Sequence, residues 1–193
     1  MSSTKRGGVR KVSDYYVTPV PAILDFLRAW EKVDPEASRV LEGQILDPAA
    51  GGDDRRMMSY PEALRIRSCV GKILTLDIRK DSLAFTHEDY LAWAPDREVD
   101  LVITNPPFTL AKEFVEKALS HVRRGGRVVM LLRLNFLGSL GRRSFWQDRM
   151  PRFLFVHAER MSFTDDGCTD SIEYMHAVWA AGEARDHAEI RVI

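Results

Sequence analysis

Apolar positions along this chain fall into two spacings, and the two alternate. Short, nearly continuous apolar runs at 44–47 (QILD), 72–77 (KILTLD), 99–103 (VDLVI), 127–134 (RVVMLLRL), 153–156 (FLFV) and 172–180 (IEYMHAVWA) read as buried strands. Between them the spacing lengthens. Ile23, Leu24, Phe26, Leu27 and Trp30 follow Thr18-Pro19 and mark one helix face. Leu110, Phe114, Val115, Ala118, Leu119 and Val122 mark another, which Gly125-Gly126 should end. Strand and helix in alternation predict an α/β fold, a mostly parallel sheet with helices on both faces. No repeat or linker divides residues 13–193, so a single domain is expected there, preceded by an arm.

The arm, residues 1–12, holds Lys5, Arg6, Arg10 and Lys11 and no acid. It reads either as a solvated tail or as a tether to phosphates. In the whole chain 28 basic residues balance 28 acidic ones, which excludes a wholesale basic binder of nucleic acid but leaves room for a local patch. With apolar residues at 45% the chain has the balance of a folded domain and not of a disordered one. The longest strictly apolar runs, Val128–Leu132 and Ala177–Ala181, are five residues each, far short of the ~18 a membrane helix needs. No apolar segment follows Met1, so the cytoplasm is the expected compartment. Cys69 and Cys168 stand without a CxxC or a His pair, so neither zinc nor a disulfide is expected.

In sheets of this kind ligands sit beyond the carboxyl ends of the strands. Those ends carry Asp47, Asp77, Asp89 and Asn105. The sharpest motif is Asn105-Pro106-Pro107-Phe108, directly after an apolar strand. Two prolines fix φ and remove two backbone donors, giving a stiff corner. Such a corner can hold an amide oxygen and a main-chain carbonyl at a fixed separation, which suits the two hydrogens of an exocyclic amino group. Phe108 offers a surface for a planar ring; equally, the corner could be a rigid strand-to-helix turn with Phe108 in the core. Asp47-Pro48-Ala49-Ala50-Gly51-Gly52-Asp53 lets the backbone approach a ligand closely. It is neither the dinucleotide fingerprint nor a triphosphate loop. Asp77, one strand on, is placed as ribose-binding carboxylates are, and Asp89-Tyr90 sets an acid beside an aromatic ring.

In this order the motifs resemble the S-adenosylmethionine-dependent amino-methyltransferases of DNA, above all the small adenine-N6 enzymes of bacteriophages and prophages. The resemblance runs from Tyr15 to Trp179. It includes Val17-Thr18-Pro19, the Asp47–Asp53 loop, Asn105–Phe108, and a tail of Ser162-Phe163-Thr164-Asp165-Asp166-Gly167 with Thr169-Asp170-Ser171 and Glu173-Tyr174. Asp53 stands where many relatives have glycine. The resemblance implies a Rossmann-like class I methyltransferase fold, seven-stranded, with its last strand antiparallel. It implies S-adenosylmethionine as cofactor, with Asp47, Ala49 and Gly51 at its methionine part and Thr18 near its carboxylate. Asp77 would take the ribose, and Asp89 with Tyr90 the adenine. Asn105 and the Pro106 carbonyl would hold the target amino group on the corner that Pro107 stiffens, Phe108 would stack on the flipped base, and Phe163 would offer a second face. The expected partner is DNA, as a duplex with a flipped adenine or as a single strand. Thr18-Pro19 also fits a plain helix start.

Direct attack by an amino nitrogen needs no covalent enzyme intermediate. Carbon-5 cytosine chemistry, which needs a thiolate in a Pro-Cys context, is out. Residues 133–152 carry Arg133, Arg142, Arg143, Arg149 and Arg152 against the single acid Asp148. They form either a nucleic-acid footprint, with Arg142 and Arg143 on the substrate, or a solvated helix that buries Phe145 and Trp146. Only 85 residues follow Phe108, too few to finish the sheet and also build a target-reading domain, so a short or relaxed recognition sequence is expected. Two other readings stay open: an amino-methyltransferase of an RNA base or a protein glutamine, and a non-catalytic subunit that keeps the fold.

Overall fold

The computed structural model describes residues 16–68, 71–163 and 171–193. The basic arm, both cysteines and residues 164–170 of the tail signature lie outside them.

The strands are β1 (Gln44–Asp47), β2 (Lys72–Thr75), β3 (Val99–Thr104), β4 (Val122–Arg133), β5 (Phe153–Val156), β6 (Tyr174–Ala180) and β7 (Glu189–Val192). They form one seven-stranded sheet in the order β2-β1-β3-β4-β6-β5-β7. Neighbours run parallel except at β6, which is antiparallel to both β4 and β5. Alternate side chains of a strand face opposite sides of a sheet, and the core divides accordingly. Leu101, Ile103, Val129 and Val178 pack under α1 (Val20–Glu31), α2 (Ala37–Leu41) and α3 (Ser59–Ile66). Val102, Val128, Met130 and Ala177 pack under α4 (Ala111–His121) and α5 (Arg143–Asp148). The expected doubly covered, mostly parallel sheet is present.

Three expectations need correcting. The reversed strand is β6, not the last strand, because β7 follows and adds parallel to β5. All four residues of β7 are exposed, so no apolar pattern marked it. The second helix ends at His121, and Val122 already has extended backbone at the start of β4. The two glycines lie inside β4: Gly125 has φ +79°, and between Val99 and Leu101 the register with β3 shifts to accommodate this stretch. Asp89 does not end a strand, since only an isolated bridge from Leu76 to Thr86 precedes it. Among the described residues no helix is long and apolar enough to cross a membrane, and no group of three or more His, Cys, Asp or Glu could hold a metal ion.

Candidate active site

Because β1 to β5 run parallel, their carboxyl ends share one rim. β6, reversed, brings its amino end there, and the register pairs Arg133 with Tyr174. At β1 this rim carries Asp47, fully buried, with Oδ1 accepting a 3.3 Å bond from the Ala49 amide. Burial pushes its carboxyl up to about 7, and the nearby Asp77 charge adds to the effect. The Thr104 hydroxyl tempers the shift but lies outside hydrogen-bond geometry, so it and Asp47 Oδ2 are both buried without a partner.

The loop after Asp47 turns on Gly51 (φ +68°) and Gly52 (φ +76°), conformations that favour glycine. A Cβ on Gly52 would stand 2.9 Å from the Met58 side chain. Asp53 is not in the left-handed region. Its Oδ1 accepts from the Arg55 and Arg56 amides at 2.9 and 3.0 Å, so an acid is conformationally sound at this position. Asp77 fastens the loop to the neighbouring strand. Oδ2 accepts from the Gly51 amide at 2.9 Å, and Oδ1 accepts from the Arg79 amide at 2.8 Å with the Arg79 guanidinium 3.4 Å away.

Asn105 follows β3. Its Nδ2 donates to Thr18 Oγ1 at 3.1 Å, while Oδ1 is buried and has no partner. Thr18 is 2% exposed and makes no side-chain cap on α1, although the helix does start beside it. Pro106 is buried and Pro107 half-buried. Phe108 opens a 3-10 turn (Phe108–Leu110) and enters an aromatic cluster: Tyr16 at 6.1 Å and Tyr174 at 5.7 Å between ring centroids, with Phe163 4.8 Å from Tyr174. The Arg133 guanidinium lies over the Phe108 ring at 4.4 Å, and its Nε is buried without a partner.

The rim thus gathers Thr18, Asp47, Ala49, Gly51, Asp77, Asn105, Pro106, Phe108 and Phe163. It does not gather Tyr90, whose ring is 2% exposed in the core and whose hydroxyl meets His121 Nδ1 at 3.2 Å. Asp89 is exposed and accepts from the Leu91 amide. Phe145 and Trp146 are buried, as the alternative reading of the basic segment had them. Arg142 is engaged by the carbonyls of Phe136, Asn135 and Gly138, whereas Arg143 is exposed. Two cavities of about 480 and 330 Å³ lie elsewhere, one beside Trp179 and Gly182, the other along the β2 edge.

Sequence reasoning missed a buried polar cluster on the α1–α3 side of the sheet. The Tyr60 hydroxyl meets His176 Nε2 at 3.0 Å, and His176 Nδ1 meets His157 Nε2 at 2.7 Å. A histidine inside the apolar run 172–180 was its one visible signal.

This fold is that of the class I S-adenosylmethionine-dependent methyltransferases. Three solved structures illustrate it. A Listeria monocytogenes protein assigned to that class superposes with a TM-score of 0.64 at 12% identity, covering 95% of this chain and 68% of that one. A Pyrococcus horikoshii protein assigned as an RNA methyltransferase gives 0.64 at 14%, covering 90% and 91%. The M protein of the type I restriction enzyme EcoKI gives 0.58 at 14%, covering 94% of this chain and 49% of that one. No protein-family model and no curated protein matches the sequence.

Proposed function

We propose that this chain transfers a methyl group from S-adenosylmethionine to the N6 amino group of adenine in DNA, within a short or relaxed recognition sequence. The observation that carries the reading is the Asn105 amide: its oxygen is a buried acceptor without a partner, fixed after β3 on a diproline corner. An orphaned buried acceptor costs roughly 1–3 kcal/mol, so a ligand donor that satisfies it is strongly favoured. Asn105 Oδ1 and the Pro106 carbonyl together would take both hydrogens of an amino group. That arrangement favours the pyramidal nitrogen reached in the transition state.

The rim's chemistry fits the cofactor. Asp47 Oδ2, buried and unpartnered, suits a cationic group, and the glycine loop gives backbone access. When bound, S-adenosylmethionine supplies an activated methyl on a sulfonium centre. Asp47, Ala49 and Gly51 would hold its methionine part, and Asp77, through lone pairs left by Gly51 and Arg79, its ribose; Asp89 would reach its adenine. For the base to stack on Phe108, the Arg133 guanidinium must leave that ring; Phe163 would line the other side. Arg143, exposed, would meet phosphate.

The test is mass spectrometry of nucleosides from unmethylated DNA, RNA and protein incubated with the enzyme and cofactor. N6-methyladenine in the DNA is the expected result. Methylation confined to RNA, as the Pyrococcus neighbour would suggest, or to glutamine would overturn the substrate. Asn105→Ala should cut transfer by roughly 10²–10³-fold, the size of losing one preorganised polar contact. Cofactor affinity should hold.

A further inference from the structure

Arg133 closes β4 and stands on the carboxyl rim. Its backbone is pinned there: the residue pairs with Tyr174, and the following amide, of Leu134, donates to the Glu173 carbonyl at 2.8 Å. Its side chain is not. Half-buried, it meets no carboxylate and no carbonyl among the described residues, and its guanidinium lies over the Phe108 ring, 4.4 Å from the centroid. Three other arginines of the basic segment are tied down. Arg142 holds the carbonyls of Phe136, Asn135 and Gly138, Arg149 the Asp148 carbonyl, and Arg152 the Glu183 carboxylate. Arg152 and Arg185 also leave Nε open, but both reach Glu183 through Nη1. Arg133 has the ring alone, and its buried Nε has no acceptor.

A ring face is a weak hold on a guanidinium whose donors stay open, and a buried donor without an acceptor is costly until a ligand supplies one. The planar fork of arginine matches a carboxylate or a phosphate. The face it covers is also the face a base would need. Tyr16 and Tyr174 approach Phe108 tilted by 34° and 41°, with centroids at 6.1 and 5.7 Å, so the guanidinium is the nearest planar group on that ring. A base arriving on Phe108 and the guanidinium compete for one place. The same nucleotide carries an anion, the phosphate ester that flanks the base, and delivers it as the guanidinium is displaced.

We propose that Arg133 is a substrate-binding residue that works by exchange: its guanidinium fills the Phe108 face in the free protein and moves to a phosphate flanking the target adenine when the base takes that face. This rests on the reading of Phe108 as the stacking surface given above. The exchange needs side-chain torsions only, since the strand holds the backbone. It keeps the ring covered until a nucleotide is present, and it hands an unpaired cation to the nucleotide that is about to react.

Arg133→Gln keeps the stem and a planar end but removes the charge; Arg133→Lys keeps the charge without the fork. Arg133→Gln should weaken DNA binding about tenfold, the size of one hydrogen bond to a charged group, and make log affinity against log salt shallower by about one. Arg133→Lys should restore the salt dependence. An unchanged salt dependence in Arg133→Gln overturns the proposal. The phosphate is located by placing a neutral methylphosphonate at each of the two positions flanking the methylated adenine in turn. At one of them the native protein should lose about tenfold in affinity and Arg133→Gln nothing; an equal loss in both proteins, or none in either, overturns the contact. The exchange itself is read by NMR. The Arg133 Nε–H proton should resonate upfield under the Phe108 ring in the free protein and move downfield when DNA binds, and a resonance that DNA leaves in place overturns the movement. Loss of cofactor affinity in Arg133→Gln would assign the guanidinium to the cofactor carboxylate and overturn the proposal too. If Phe108→Ala impairs transfer to DNA while Arg133→Gln behaves as the native protein, the exchange is wrong and the stacking reading stands. If Phe108→Ala keeps the native rate and affinity, the stacking reading itself falls, and the role of Arg133 with it.

Discussion

The two rims of the sheet are built from the same residue types to opposite ends. At the amino rim, Asp34 is held on every oxygen: by Arg127 Nε and Nη2 at 2.7 and 2.9 Å, by the Trp30 indole at 3.0 Å, and by the Glu36 amide. Burial alone would raise its pKa, but the Arg127 guanidinium outweighs burial and holds it below the usual range. Asp100 is likewise engaged on both oxygens, by the Gln44 amide and by Arg123. At the carboxyl rim, Asp47, Thr104, Asn105 and Arg133 each keep a buried polar atom with no partner. A fold that can satisfy buried carboxylates so completely at one edge has left acceptors open at the other. Among the described residues the unpartnered buried oxygens, Asp47 Oδ2, Thr104 Oγ1 and Asn105 Oδ1, all lie on the carboxyl rim, whereas the unpartnered groups of Arg133, Trp146, Arg152 and Arg185 are donors. Open acceptors are costly, and their gathering there marks the place where stability gives way to function.

The same substitution should therefore have opposite signs at the two rims. Asp34→Asn strands the buried Arg127 cation and should cost about 3–5 kcal/mol in denaturant unfolding. The stabilisation lost is the part present above the ordinary carboxylate range, and in the native protein it fades as pH falls below about 4. A melting curve unchanged by Asp34→Asn would erase the contrast.

Asp47→Asn should instead stabilise. With a folded pKa of about 7 against 3.8 for a free aspartate carboxyl, the native state keeps a proton that the unfolded chain gives up. Stability then declines as pH rises from about 4 to 7. Removing the ionisable group should gain about 4 kcal/mol above pH 7 and almost nothing below pH 4. His157 works the other way. Burial lowers its pKa to about 4 from 6.5, so its effect is to reduce stability as pH falls through that interval. His176, buried and likewise held well below 6.5, adds to that acid loss, so Asp47→Asn, which removes the opposing group, should steepen the decline in stability from pH 6.5 to 4. Denaturant midpoints measured across pH decide it.

The smallest effects separate the paired arginines of the basic segment. Arg142→Ala, which frees three carbonyls from a guanidinium, should lower stability by ~1 kcal/mol. Arg143→Ala should leave the melting temperature alone and weaken DNA binding with a shallower salt dependence. Equal behaviour of the two variants would deny any difference in their roles.

The fold was legible where burial leaves a continuous apolar run. Gln44–Asp47 and Phe153–Val156 stand as the pattern placed them. β7 was invisible because its four side chains face solvent and its place comes from backbone bonds to β5. The candidate site residues were legible at strand ends, where an Asp or Asn breaks an apolar run. Tyr90 misled because adjacency in sequence is not adjacency in space: Asp89 starts a turn at the surface and the next side chain goes into the core. The bond between Tyr60 and His176 spans 116 positions. No local pattern encodes such a pairing, which exists only once α3 lies on the sheet.

The reversal of β6 has an architectural consequence. A parallel neighbour to β5 would need a crossover from one edge of the sheet to the other. The antiparallel one lets the chain return from the rim that β5 has just reached, where Met161 and Phe163 pack with Phe108, Leu131 and Tyr174. The Met161 and Phe163 side chains stand over the carboxyl rim like an eave. Because neither Met161 nor Phe163 belongs to a strand, either can be exchanged to reshape that rim without moving the sheet.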